Sequence, residues 1–340
     1  MSKKRVTAGH PVSGDVHQQA LVDLIQNFPA AHRTYSVFSD FVELSALSIS
    51  NSVDRQQFVV REKRYLDIVQ KYSKDEIERF PRMFAELVLS FEHRVAVMRK
   101  SGESGGASMG LTDVLGEVFM QLDMGNDRTG QFFTPYHLSR MMAMMTVGVD
   151  HETIRRDGFI RACEPAVGAG GMVIALAESM QDAGLNYQER LHVTCVDVDA
   201  VCVHMAYLQL SLLHIPAMVV HGNSLSMEVW GQWYTPAHVM GGWKWKLRAR
   251  EKRRLADAVE VAVDADVLEC TAAQLDVEVP DGADGDAVAV AIATAAVDTM
   301  EVAVAPGSGG AALLDLFECV VDAEPNNEAF FRKVEQLALF

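Results

Sequence analysis

Features of export or of a membrane are scarce in this chain. No N-terminal stretch joins a basic flank to an apolar run and a cleavage site, so no secretory signal is expected. The charge-free apolar run from Ala287 to Val297 is too short to cross a bilayer. Cysteine is sparse: Cys163, Cys195, Cys202, Cys270 and Cys319 are odd in number and form no C-x-x-C pair. A disulfide framework or a zinc site therefore has no support, and a cytoplasmic protein without a metal is expected. Basic residues are scarce in one region only. From Leu255 to Phe340 there are 18 Asp and Glu against two basic residues, Arg332 and Lys333. Upstream, 28 acids balance 28 bases, so the formal net charge of −16 belongs to the C-terminal region and excludes no polyanionic partner for the rest.

Three regions follow from the composition. Residues 1–104 read as an α-helical N-terminal region. Val16 to Phe28 has helical apolar spacing, and Glu62 to Tyr72 and Asp75 to Met98 are rich in helix formers. Ser73 with Glu76 is a capping-box signature, and Ser101 to Ser108 reads as a hinge. In residues 105–254, Thr112 is the expected cap of a helix running from Asp113 to about Leu122. Gly125 to Thr134 is an expected loop, and Pro135 opens a further helix carrying Leu138, Met141, Met142, Met144 and Met145, read as core packing. Then strand and helix alternate: Phe159 to Cys163, Met172 to Met180, Val193 to Val196, Ala200 to Leu213, Ala217 to Val220. That rhythm predicts an α/β fold with a parallel sheet and covering helices. Residues 255–340 are an acidic Ala/Val/Asp-rich appendage, for which a partly disordered tail and a small domain both fit.

Chemistry concentrates at three strand ends. Glu164-Pro165-Ala166-Val167-Gly168-Ala169-Gly170-Gly171-Met172 links a strand to a helix. Its glycines let backbone approach a ligand, and the helix start offers unpaired N–H groups to a carboxylate. Asp197 closes the next strand, where a carboxylate can accept both ribose hydroxyls of a nucleoside. Asp199 is expected to cap the following helix. Gly222-Asn223-Ser224-Leu225 ends the third strand, placing an amide where an adenine edge can meet it.

Gly130-Gln131-Phe132-Phe133-Thr134-Pro135, followed by the glycine turn, resembles the adenine-N6 DNA methyltransferases, and most of all the modification subunits of type I restriction-modification systems. Asp113-Val114-Leu115-Gly116-Glu117-Val118-Phe119 resembles the helix that precedes this loop in that family. The resemblance covers about residues 110–225 and implies a Rossmann-like sheet that binds S-adenosyl-L-methionine and methylates a flipped adenine in DNA. It implies that Gln131, Phe133, Thr134 and Pro135 fold over the cofactor and that Glu164, Gly168 and Gly170 line its methionine part. Asp197 would hold the ribose and Asn223 the adenine, although the family more often has Asp at the last position. Implied partners are double-stranded DNA and a specificity or restriction subunit, with no membrane.

The family's acceptor motif, Asn/Asp-Pro-Pro-Tyr/Phe, does not occur. Its nearest stand-in is Tyr234-Thr235-Pro236-Ala237-His238, which makes Tyr234, Thr235 and His238 the candidates for catalysis; the preceding Ser226 to Trp233 shows no convincing buried strand. Three readings stay open: a divergent methylase, a cofactor-binding relative with a regulatory or assembly role, or a sequence foreign to the family after about Trp245. A dehydrogenase of the NAD type would fit the glycine turn and the acid, but leaves the Gly130 to Pro135 loop unexplained. Trp243 to Arg254 holds seven basic residues alternating with aromatic and apolar ones, as a strand with one cationic face would. Lys244, Lys246, Arg248 and Arg250 are its candidate phosphate contacts; a solvated edge strand or a partner for the acidic tail fits equally.

Overall fold

The computed structural model describes residues 15–104, 110–124, 133–147 and 151–256. Residues up to Trp243 gather into one compact unit. It opens with helices α1 (Val16–Gln26), α2 (Thr34–Val53), α3 (Phe58–Val69), α4 (Lys74–Ile77) and α5 (Arg79–Ser104). Buried Asp15 caps α1 by accepting from the His17 and Gln18 amides, and it also accepts from Ser90 and Arg94 on α5. One carboxylate thus satisfies a helix start and a buried guanidinium together. Glu76 accepts from the Ser73 amide at 2.8 Å, as the capping-box spacing requires. Helix α5 runs on through Gly102 to Ser104, so the first half of the hinge expected over Ser101 to Ser108 is helical, and residues 105–108 lie outside the described residues.

Next come α6 (Val114–Gln121), α7 (Tyr136–Val147) and α8 (His151–Asp157). The cap of α6 is Asp113, not Thr112: the Asp113 side chain accepts from the Gly116 amide, while Thr112 takes a positive φ of 52°. Pro135 opens α7, accepting from the Leu138 amide at 2.9 Å. The methionines of α7 overturn the expectation of core packing. Leu138, Met141, Met142, Met144 and Met145 are all exposed, whereas the small residues Ser139 and Ala143, four apart, are buried. The helix packs against its neighbour through that small face, which turns its apolar bulk outward.

The rest is β1 (Ile160–Glu164), α9 (Gly171–Asp182), α10 (Tyr187–Arg190), β2 (Leu191–Asp197), α11 (Ala200–Leu212), β3 (Ala217–Asn223), β4 (Glu228–Tyr234) and α12 (Pro236–Met240). The sheet order is β1-β2-β3-β4, with the first three strands parallel and β4 antiparallel to β3. Helices α9 and α11 are the crossover connections between the parallel strands. Helix α11 packs on β2 and β3 from one side and meets α2 and α6 on the other, which explains its nearly all-round burial. One apolar core therefore runs from α1 to the sheet.

Residues 228–234 form a strand, but not a buried one, in keeping with the absence of a convincing buried strand over Ser226 to Trp233. It is a half-exposed hairpin arm anchored from outside the sheet. Arg61 of α3 stacks its guanidinium 4.1 Å from the Trp233 ring centroid and donates to the Gln232 carbonyl at 2.6 Å. Asp54 pairs with the same guanidinium at 2.8 Å. Burial at the Arg61 site is thus compensated by a carboxylate, a carbonyl and a ring face.

Lys244 opens a second compact unit, Lys244–Asn327, of which residues 244–256 are described. They are helical, continuing from 243, and this overturns the strand expected over Trp243 to Arg254. Residues two apart on a helix lie about 200° apart, so alternation spreads Lys244, Lys246, Arg248 and Arg250 around the cylinder and makes no single cationic face. Lys244, Lys246 and Arg248 are exposed and Arg250 half-buried, and the Arg248 guanidinium lies 6.0 Å from the exposed Trp245 ring. No described helix is long and apolar enough to cross a membrane.

Candidate functional site

The turn between β1 and α9 is shaped by two left-handed glycines, Gly168 at φ 55° and Gly170 at φ 101°. Neither would tolerate a side chain without strain. At Gly168 there is a second reason, since an added Cβ would lie 3.1 Å from the Phe133 ring. The end of the Gly130 to Pro135 loop therefore does reach the glycine turn. Phe133 also meets Phe119 of α6 edge-on, with centroids 5.2 Å apart. Thr134 and Pro135 are exposed beside it, while Gly130, Gln131 and Phe132 lie outside the described residues. Helix α9 starts at Gly170 with no side-chain cap, so its first-turn N–H groups have no side-chain acceptor at the cap position.

Strand register brings the other members to the same edge. Glu164 pairs with Cys195, and Asp197 with His221. Asp197 thus stands two residues beyond Glu164's level and Asn223 two beyond Asp197's, a staircase of about 7 Å steps at the carboxyl ends of three parallel strands. Asp197 binds the turn itself, accepting from the Gly168 amide at 2.8 Å and from the Asp199 amide at 2.9 Å. A carboxylate has about four acceptor positions, and the backbone amides around Asp197 take only part of them, so acceptor capacity remains. Asp199 caps α11 through the Val201 amide at 2.8 Å.

Both acids sit where charge is costly. Burial pushes the Asp197 carboxyl above its ordinary value, and Asp199 adds to this, against the backbone amides that favour the anion. Burial raises Glu164 as well, and the charge of Asp197 adds to the shift. An edge of this kind favours a ligand that brings hydroxyls and positive charge. Asn223 carries a structural duty too, its Oδ1 accepting from the Leu225 amide at 2.9 Å and the Ser226 amide at 3.3 Å to fold the hairpin turn. Its amide nitrogen has no part in those bonds. Gly222 is required by the bulge beside it, where a Cβ would come within 2.3 Å of the Glu228 carbonyl oxygen.

Tyr234, Thr235 and His238 are not part of this edge, which corrects their selection as candidates for catalysis. Because β4 returns antiparallel, Tyr234 pairs with Met218 at the start of β3, about 17 Å of strand away from Asn223. Thr235 is fully buried; its hydroxyl accepts from the Ala217 amide and donates to the Ile215 carbonyl, both at 2.9 Å. His238 is buried against His192, one ring nitrogen donating to the other across 2.9 Å, with Trp243 stacked alongside His192. Burial, with His238 and Arg161 nearby, holds His192 well below the ordinary histidine range. In parallel sheets ligands bind outside the carboxyl ends of strands, and this cluster closes the other end.

Residues that sequence reading did not single out hold the site from behind. Gln209 of α11 and Glu178 of α9 are fully buried. Glu178 accepts from the Leu111 amide and from the Tyr136 hydroxyl, and Arg140 lies 3.3 Å away, so the start of α7 is tied to α9. The available signal was a carboxylate or carboxamide inside a mostly apolar helical stretch. No group of three or more potential metal ligands occurs among the described residues.

Three parallel strands joined by crossover helices, with a glycine turn after the first strand, make this a Rossmann-like α/β sheet preceded by helices. Residues 112–258 match the family described as N-6 DNA methylase. A solved structure from Listeria monocytogenes, described as a class I S-adenosylmethionine-dependent methyltransferase, is 13% identical, with a TM-score of 0.31. That similarity covers 60% of this chain and 53% of the other, so the chain spans about half of that structure's length. No curated protein matches the chain.

Proposed function

We propose that this protein binds S-adenosylmethionine at the carboxyl edge of the sheet and methylates the N6 amine of adenine in double-stranded DNA. The single observation that carries the reading is the convergence of Gly168, Asp197 and Asn223 on one edge, with Phe133 over the turn. The residues present fit the cofactor: a turn without Cβ atoms, an acid with acceptor capacity to spare, and a helix start without a side-chain cap. When bound, the cofactor supplies an electrophilic methyl group on a positively charged sulfur. Glu164 and the Gly168 to Gly171 turn would hold its methionine part, Asp197 the ribose and Asn223 the adenine, with Gln131, Phe133, Thr134 and Pro135 closing over it. Lys244, Lys246, Arg248 and Arg250 would meet DNA phosphates from the helix over 243–256, as a sheath of charge more than as a groove-reading face. The resemblance of residues 110–225 to type I modification subunits makes a specificity or restriction subunit the protein partner it would take. A cytoplasmic setting suits Cys163, Cys195 and Cys202, none of which forms a disulfide.

A second reading is favoured by a specific observation. The stand-in for the acceptor motif lies at the opposite edge, with Thr235 spent on backbone groups. On this reading the chain binds cofactor and serves regulation or assembly without transferring methyl. Incubation with tritiated S-adenosylmethionine and unmethylated DNA, alongside calorimetry with S-adenosylhomocysteine and NAD, separates the two. Homocysteine-ligand binding with label in adenine supports the enzyme, and binding without label supports the second reading. Preference for NAD would overturn both.

A further inference from the structure

We propose that Gln209 is a positioning residue of the cofactor turn, a buried clasp that sets Gly168 to Gly171 in their ligand-receiving shape before anything binds. The inference rests on the cofactor reading above, but the geometry stands by itself. Gln209 Nε2 donates to the Ala169 carbonyl at 2.7 Å and to Asp113 Oδ1 at 2.7 Å, and its Oε1 accepts from the Leu115 amide at 3.1 Å. Both donor positions of the carboxamide and one acceptor position are thus used, and all of them bridge separate elements. One end grips the middle of the glycine turn. The other grips the start of α6, whose far end carries Phe119, the ring that supports Phe133.

The neighbours make this bridge tight. Asp113 presses on the turn from the α6 side: a Cβ on Gly171 would lie 3.1 Å from Asp113 Oδ2. Three residues before Gln209, Ala206 backs the turn directly, and a Cβ on Gly170 would lie 3.5 Å from its Cα. Helix α11 therefore supports the turn through two residues of one face. Nothing in the apolar sequence around Gln209 needs a carboxamide, and burying one without partners is costly. Its partners are the turn and the cap of α6. Side chains that freeze a binding loop raise affinity by removing the ordering cost from the binding step.

The test compares Gln209→Leu and the same-shape Gln209→Glu, which removes the two donated bonds, with Tyr187→Phe. The last loses a buried hydroxyl bond to the Leu213 carbonyl away from the turn. Full-length proteins are titrated with S-adenosylhomocysteine, and amide exchange at Gly168 to Gly171 is followed without ligand. Both Gln209 variants should bind about tenfold more weakly or worse, and exchange the turn amides about tenfold faster. Tyr187→Phe should lower the melting temperature, with affinity and turn exchange unchanged. Unchanged turn exchange in a folded Gln209 variant overturns the proposal, as does an equal affinity loss in Tyr187→Phe. If the parent protein does not bind the homocysteine ligand, the cofactor reading fails, and amide exchange alone decides the clasp. Should Gln209→Leu not fold, Gln209→Glu is read by the same two measurements.

Discussion

The two edges of this sheet are made from similar residue types and behave oppositely. At the amino edge, Thr235, His192, His238 and Trp243 pack on one another and on backbone groups, and all are buried. At the carboxyl edge, Asp197, Glu164 and Asn223 make local bonds that leave part of their capacity over, and the backbone there bends through left-handed glycines. Polar side chains that complete one another stabilise a fold. Polar side chains held rigid and incompletely used are what a ligand requires.

The sharpest way to break this contrast is Asp197→Ala. It should weaken S-adenosylhomocysteine binding by about 100-fold, since a hydrogen-bonded charged group contributes on the order of 3 kcal/mol. An affinity within threefold of the parent by calorimetry would remove the carboxyl edge from the site. Next in size is a pH effect at Asp113. Burial raises its carboxyl from an ordinary 3.8 to about 6. The folded chain then keeps a proton that the unfolded chain releases, so this contribution to stability is full at low pH and declines from about pH 4 through about pH 6. Its span is at most about 3 kcal/mol, and urea titrations of Asp113→Asn should show that decline removed. A parallel pH profile in parent and variant would contradict the assignment.

Thr235→Val probes the other edge. Leaving the Ala217 amide unpaired should cost about 1–3 kcal/mol of unfolding free energy while ligand affinity stays constant. A selective loss of binding would show that the two edges are not separate in function. The smallest effect expected is for Gly168→Ala, about 1–2 kcal/mol of stability from a positive φ with Phe133 close by, accompanied by weaker ligand binding. A fully stable variant would mean that Phe133 does not sit over the turn.

What the sequence disclosed was what short-range physics determines. The strand–turn–helix over 160–182 was legible because the glycines, the apolar run and the helix formers lie within one window. Asp199 was legible as a cap because an N-cap acts on residues two or three ahead. The line of Glu164, Asp197 and Asn223 followed from the rule that parallel strands share an edge. What stayed hidden required knowledge of distant partners. Strand β4 has polar, half-exposed residues, and its burial comes from Arg61, 171 residues away along the chain from Gln232. The place of Tyr234 to His238 depended on the sense of that return strand. Alternation over 243–254 suited a strand, yet Lys, Arg, Leu and Ala are strong helix formers, and that propensity prevails where no sheet edge takes the segment up. The methionines of α7 were misjudged because apolar character says which residues could be buried, whereas Ser139 and Ala143 decide which side approaches a neighbour.

The grip of Arg61 on Trp233 has a practical corollary for anyone wishing to shorten the protein. Trimming the leading seventy residues would not release a self-sufficient sheet domain. It would uncover an indole and a row of aliphatic side chains on α11, and loosen the hairpin whose bend carries Asn223. The opening helices are better regarded as the outer wall of the sheet domain than as a detachable accessory.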